Sequence, residues 1–442
     1  MKFKYDRAET IPSEFTRLKG SCPAMTKHQQ LQRRLGVAEA TAIGLGSMLG
    51  AGVFVVFAPA ARLAGNLLLV AIALAGAVAY CNAVASAQLA AKYPQSGGTY
   101  IYGRKQLGEW PGFLAGWGFV TGKSASCAAM ALTFGQYVAP GYATPVAIAA
   151  VAALTGVNLL GITRTAFLTR VLLAVVLATL AFVAIASILG PHVSDAGTAS
   201  TGQGGVWGVL PAAGLVFFAF AGYARIATLS EEVKDPARVI PRAVLSALAG
   251  ALVIYLLLGG VLLMHLPVDV LASSRAPLLE AVEGSRLSAG APVVQAGAAA
   301  ASLGALLALI TGVGRTAMAM ARERDLPGTL ARVGGRHPVP VAAELAVAAV
   351  VVVLLLTTNV LTVVGFSSFG VLLYYAVTNA AAFTLRERPR HAPRWLNAAG
   401  LTGCLVLAFT LPAASALGMA AVMAAGLAGR AIVLRRRKSP RR

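Results

Sequence analysis

The sequence predicts an all-α integral membrane protein with about twelve transmembrane helices. Composition is the first reason. Of 442 residues, 57% are hydrophobic and only 12% charged, whereas a soluble domain carries about 25% charge. Segmentation is the second: the apolar residues form long uncharged blocks rather than amphipathic stripes, and a bilayer core needs about 20 such residues per helix. The third is the placement of charge. Lysine and arginine gather in alternate connections between the blocks, so the net charge of +21 reads as membrane topology rather than as a nucleic-acid surface.

Twelve candidate spans lie near 38–62, 66–91, 108–139, 143–160, 167–190, 206–230, 242–265, 292–320, 341–358, 360–385, 395–412 and 414–434. The last two separate weakly around Pro412, which leaves eleven or thirteen as alternatives. Residues 1–36 form a polar tail without the short basic-then-apolar layout of a cleaved signal peptide. The 47 glycines suit membrane helices, where small residues let backbones approach closely. Cys22, Cys81, Cys127 and Cys404 have no paired spacing, so neither a disulfide framework nor a zinc site is expected.

The basic tail (Lys2 to Arg34) and the connections holding Arg104 and Lys105, Arg164, Lys234 to Arg242, Arg322 to Arg336 and Arg386 to Arg394 fall on one side. The intervening connections are poor in such residues, and 190–206 has none. The positive-inside rule then puts both termini in the cytoplasm of a multi-pass protein of the cell membrane, which requires an even number of spans. The final run RRRKSPRR sits beside the last span and reads as a topology anchor to anionic headgroups, with no nucleic acid as partner.

The first span, GLGSMLGAGVFVVFAPA (Gly44–Ala60), holds Gly44, Gly46, Gly50 and Gly52 within nine residues. Glycine costs a helix about 1 kcal/mol relative to alanine, so this spacing predicts a local unwinding; close packing of small residues is the alternative. The sixth span has one central glycine, Gly222, followed by Arg225. Broken helices at corresponding places in two halves point to a transporter site built on inverted repeats, here spans one to five (37–190) and six to ten (206–386). Spans eleven and twelve (394–434) and a basic tail (435–442) follow. Free N–H groups at a half-helix N-terminus suit a carboxylate, and free carbonyls suit an amine.

GLGSMLGAGVF (Gly44–Phe54) resembles the first-helix motif of the amino acid–polyamine–organocation transporter superfamily. FFAFAGYARIATLSEEVKDPARVIPRAV (Phe217–Val244) is similar to its sixth helix and the loop beyond. GRTAMAMARERDLP (Gly314–Pro327) resembles the loop after the eighth helix, and SSFGVLLYYAVTNAAAFTLR (Ser367–Arg386) the tenth helix. Order and spacing agree over roughly residues 35–390. The resemblance implies a leucine-transporter-like 5+5 inverted repeat with two further C-terminal helices, and secondary transport of an amino acid or amine by alternating access, with no cofactor. It implies that the substrate carboxylate meets amides around Met48, Ala51 and Gly52, in the stretch that also holds Ser47 and Gly50. The amino group would meet carbonyls near Ile43 and over Phe218–Ala221, ahead of Gly222, with Phe218 or Phe220 as an aromatic lid.

Departures narrow this reading. Many members are acidic shortly after the sixth-helix glycine; this chain has Ala224 and Arg225. The fifth-helix lysine of some proton-coupled members is replaced by Val176, and 171–190 is uncharged. Lys123 instead lies about 22 Å into the third span at 1.5 Å per residue, with no Asp or Glu in a neighbouring span centre. A buried cation there is costly, so Lys123 is expected to face the ligand and to carry a coupling proton; a lysine bonded to backbone carbonyls of an unwound helix, with no role in transport, is the alternative. Arg225 lies about 9 Å from Glu231 along a helix, so it is expected either to snorkel toward the cytoplasmic face or to form a gate pair with Glu231 or Glu232. Glu39 and Glu344 are expected to serve the N-terminal ends of their spans. Because like charges repel strongly at low dielectric, a charged Lys123 disfavours dications such as polyamines; neutral amino acids are expected first, anionic ones second and cationic ones third.

Other classes fit less well. An intramembrane enzyme needs a nucleophile with its base or paired acids at membrane depth, and the five histidines lie in tails, loops or span ends. No Walker phosphate loop is present. A channel would use a ring of polar residues from repeated subunits, which two broken helices in one chain do not supply.

Overall fold

The structure is a computed structural model and describes residues 35–93, 97–160, 165–190, 205–223, 226, 233–334, 339–387 and 392–438. The first span is three helical pieces, α1 (Val37–Met48), α2 (Ala51–Val55) and α3 (Phe57–Ala64), followed by α4 (Leu68–Lys92). A short helix α5 (Thr99–Leu107) leads into α6 (Glu109–Val138), then α7 (Ala143–Leu159) and α8 (Thr165–Ile188). The sixth span opens with α9 (Val209–Phe220) and passes into a 3-10 turn at Ala221–Tyr223. Beyond it come α10 (Pro236–His265), two short helices α11 (Val268–Ser273) and α12 (Pro277–Glu283), and α13 (Ala291–Arg322). Last are α14 (Val341–Thr357), α15 (Val360–Phe383), α16 (Arg394–Thr410) and α17 (Ala413–Lys438).

Among the described residues nine helical runs are long and apolar enough to cross a membrane, and α14 is a shorter apolar helix. The helices α6 and α16 coincide with the third and eleventh expected spans. The expected all-helical architecture of about twelve spans therefore stands. The pieces missed in the sequence are α5, α11 and α12, amphipathic or mixed segments too short for a span.

Two groups of helices pack together. α4 and α10 pack on each other, with α1 against α10 and α9 against α4. α6 packs most extensively on α15 and α13, and α7 and α14 cover its other side. Small residues permit these contacts. A Cβ at Gly118 would sit 3.0 Å from the Gly370 carbonyl oxygen, so α6 and α15 meet backbone to backbone. About two turns further along α6, the hydroxyls of Ser126 and Ser367 lie 2.6 Å apart.

At one end of the bundle the helix termini are tied by a buried ionic cluster. α13 ends with Arg324 at φ 62, a left-handed conformation usually given to glycine. Arg324 N–H donates to Ala321 O and Asp325 N–H to Met320 O, the paired bonds of a Schellman turn. This turn aims the Asp325 carboxylate back into the bundle. It accepts from Tyr100 Oη at 2.8 Å, from Arg104 Nη1 at 2.9 Å and from Arg430 Nε at 2.9 Å. Arg430 also donates to the Glu109 carbonyl at 3.0 Å and its carboxylate at 3.2 Å. The guanidinium lies 4.7 Å from the Trp110 ring centroid. Burial, then the bond to Asp325 and its charge, hold the Tyr100 phenol protonated well above the ordinary tyrosine range. The end of α13, α5 and α17 are thus joined through the Asp325 carboxylate, and α6 through Glu109 and Arg430.

Candidate functional site

The first span breaks where the glycines predicted. α1 stops at Met48, Leu49 takes φ −78 ψ 12, and Gly50 takes φ −61 ψ −150 before α2 begins at Ala51. Gly50 offers no side-chain cap, so the first N–H groups of α2 lack intrahelical acceptors. α2 runs almost straight into α3, since Val56 keeps a helical conformation and donates to Gly52 O at 3.1 Å. The sixth span changes its winding at Ala221–Tyr223.

The two irregular stretches face each other. A Cβ on Gly222 would collide with the Ser47 carbonyl group and the Met48 nitrogen. A Cβ on Gly52 would stand 2.9 Å from Ala219 Cα, and one on Gly50 2.7 Å from Ala305 Cβ of α13. Unwinding and close packing are therefore not alternatives here: Gly50 marks the break, while Gly52 and Gly222 let the two spans touch.

Several carbonyls at or beside the breaks already have side-chain donors. Ser47 Oγ donates to Ile43 O at 2.8 Å. Tyr255 Oη, from the middle of α10, lies 2.6 Å from Met48 O and 3.1 Å from Ala219 O, so one hydroxyl bridges both broken spans. Lys123 Nζ donates to Ala221 O at 3.2 Å, and the side chain is only 6% exposed. A lysine at this depth therefore has a carbonyl of the irregular sixth span as its partner. Phe218 and Phe220 are both buried. The Phe220 ring meets Tyr255 edge to face at 5.0 Å.

The structure thus brings together Ile43, Ser47, Met48, Gly50, Ala51, Gly52, Lys123, Phe218, Phe220, Ala221 and Gly222 around two facing breaks. Arg225, Glu231 and Glu232 lie outside the described residues. Tyr255 and Tyr137 were missed. Tyr137 donates to Phe54 O at 3.1 Å, on the α2 segment. A tyrosine inside an uncharged span was the available signal, since a buried phenol needs a partner. Glu39 serves the start of α1 as expected, accepting from Gly36 N–H at 3.0 Å. Glu344 does not lie at the surface: it is 1% exposed in the first turn of α14.

This geometry suits a ligand with a carboxylate for the α2 amides and an ammonium for the carbonyls that Tyr255 and Lys123 now hold. Comparison with known proteins gives the family. The family model described as amino acid permease matches residues 35–428. The chain belongs to the amino acid permease family. Within the superfamily that the motifs resembled, it is similar to an uncharacterized transporter of Mycobacterium tuberculosis, 54% identical over 92% of this chain and 93% of that one. It is 24% identical to a branched-chain amino acid permease of Bacillus subtilis over 86% of each chain. It is 28% identical to a chloroplastic cationic amino acid transporter of Arabidopsis thaliana, covering 80% of this chain and 66% of that protein. The permease is a multi-pass membrane transporter, not an enzyme by family or by the names of its relatives.

Proposed function

We propose that the protein is a secondary active transporter that moves neutral amino acids across the cytoplasmic membrane by alternating access, coupled to protons or to exchange. The two 5-helix halves act as inverted repeats, both termini face the cytoplasm, and the substrate sits between the breaks at Gly50 and Gly222. The observation that carries this reading is the bond from Lys123 Nζ to Ala221 O. It sets a cation beside carbonyls suited to a substrate ammonium. A ligand with one amino group and one carboxylate can displace the lysine from that carbonyl and still offset its charge. A second ligand cation is repelled. The relative named for branched-chain amino acids supports this preference. The relative named for cationic amino acids supports the second reading, a cationic amino acid or polyamine permease.

The test is thermal unfolding of the purified protein across a panel of amino acids and polyamines. A ligand at 100 times its Kd stabilises the folded state by about 2.7 kcal/mol. Neutral amino acids are expected to raise the melting temperature. Stabilisation by polyamines or arginine alone would replace the first reading by the second.

A further inference from the structure

The coupling reading leaves one buried acid without a task. Glu344 lies in the first turn of α14 and is 1% exposed. Its Oε2 atom is enclosed and has no hydrogen-bond partner among the described residues. The space it occupies exists because α13 has glycine opposite: a Cβ at Gly314 would stand 2.9 Å from Glu344 Cγ. An unpaired carboxylate enclosed by two apolar helices is costly, and a protonated carboxyl at the same place is far less so.

Among the described residues its charged surroundings are sparse. The elements packed on α14 are α13, α7, α6 and the 3-10 turn Gly328–Ala331. α7 and the turn bring no ionisable group. On α6, Lys123 is held by Ala221 O with Cys127 one turn further on, Tyr137 by Phe54 O, and Glu109 by Arg430. α13 brings Arg315, next to Gly314 and exposed, whose charge acts on Glu344 without forming an ion pair among the described residues. Arg322, further along α13, lies a further two turns away by helical rise.

We propose that Glu344 is a proton-binding site. Seated against Gly314, its carboxyl holds a proton. On giving that proton to water at the end marked as cytoplasmic by the basic connection 322–336, the carboxylate turns to pair with Arg315. The proton is the only species exchanged, and Arg315 offsets the charge left behind. α13 and α14 thus have two discrete arrangements, one for each protonation state. The site rests on the proton-coupled reading above, adding a carboxyl to Lys123.

Infrared difference spectroscopy on the substrate-free full chain, stepped in pH, reads this directly. A protonated-carboxyl C=O band that appears on acidification, persists in Lys123→Met and vanishes in Glu344→Gln is expected. Should Glu344→Gln not fold, Glu344→Asp carries the assignment, because the band must then move in frequency. A band unchanged by either variant overturns the proposal. In proteoliposomes, Glu344→Gln is expected to lose substrate-linked proton movement at least tenfold while keeping exchange. If wild type moves protons and Glu344→Gln moves them equally, this site is wrong and the coupling reading stands. If wild type moves none, the coupling reading fails, whatever the band shows.

Discussion

Replacing Arg430 by methionine tests whether the cluster at Asp325 holds the helix ends together. The change keeps most of the aliphatic volume and removes three charge-assisted hydrogen bonds, at 2.9, 3.0 and 3.2 Å. It also removes the stacking on Trp110, worth about 0.5–2 kcal/mol. Breaking a buried ion pair by removing one partner costs about 3–5 kcal/mol, because a charge is left uncompensated. Here the survivor is not stranded. Asp325 keeps Arg104 at 2.9 Å and Tyr100 at 2.8 Å, so the expected cost falls to about 2–3 kcal/mol. Asp325→Asn is the harsher change. It leaves Arg430, 4% exposed, with Glu109, itself 66% exposed, as its one acidic partner among the described residues, and is expected to cost about 3–5 kcal/mol. Melting temperatures in detergent should therefore fall further for Asp325→Asn than for Arg430→Met. The double variant should fall by less than the sum, because the two residues share a bond. Strict additivity, or an Arg430→Met protein as stable as wild type, would refute a shared ionic cluster.

Tyr255→Phe keeps the ring against Phe220 and removes the hydroxyl that bridges Met48 O and Ala219 O; a cost of about 0.6–1.7 kcal/mol is expected from measured interhelical hydrogen bonds in membranes, read as a lower melting temperature and altered substrate affinity with expression unchanged. Gly222→Ala drives a methyl into the Ser47 carbonyl and is expected to abolish binding, and Gly52→Val to do the same through the 2.9 Å approach to Ala219. Unchanged affinity in ligand titrations of either would mean that the spans do not meet as described.

The fold was legible because its signals are long. Twenty apolar residues between arginines read as a span whatever they pack against, and the run from Gly44 to Gly52 placed the first break to within a residue or two of Leu49. Shorter signals failed. The helix Thr99–Leu107 carries Arg104 and Lys105 and looks like any basic loop; only the fold brings Arg104 to Asp325, 221 residues later. Arg430 was not singled out, because partners at Glu109 and Asp325, more than 100 residues away, leave no trace in local sequence. In the candidate site, Lys123 stood out as a lone charge in an apolar block, but its acceptor on Ala221 did not. Tyr255 was overlooked because a tyrosine in a span also suits simple packing. Glu344 was read as a helix-start acid, which its position supports, while its burial depends on Gly314 across the helix pair.

The central claim is that an amino acid binds between the two breaks and that Lys123 links it to proton movement. The most direct measurement is uptake of a neutral amino acid into proteoliposomes against an imposed pH gradient, for wild type and Lys123→Met. The account predicts gradient-driven accumulation by wild type, its loss in Lys123→Met, and retained exchange of internal for external substrate by the variant. Full proton-driven accumulation by Lys123→Met would contradict it.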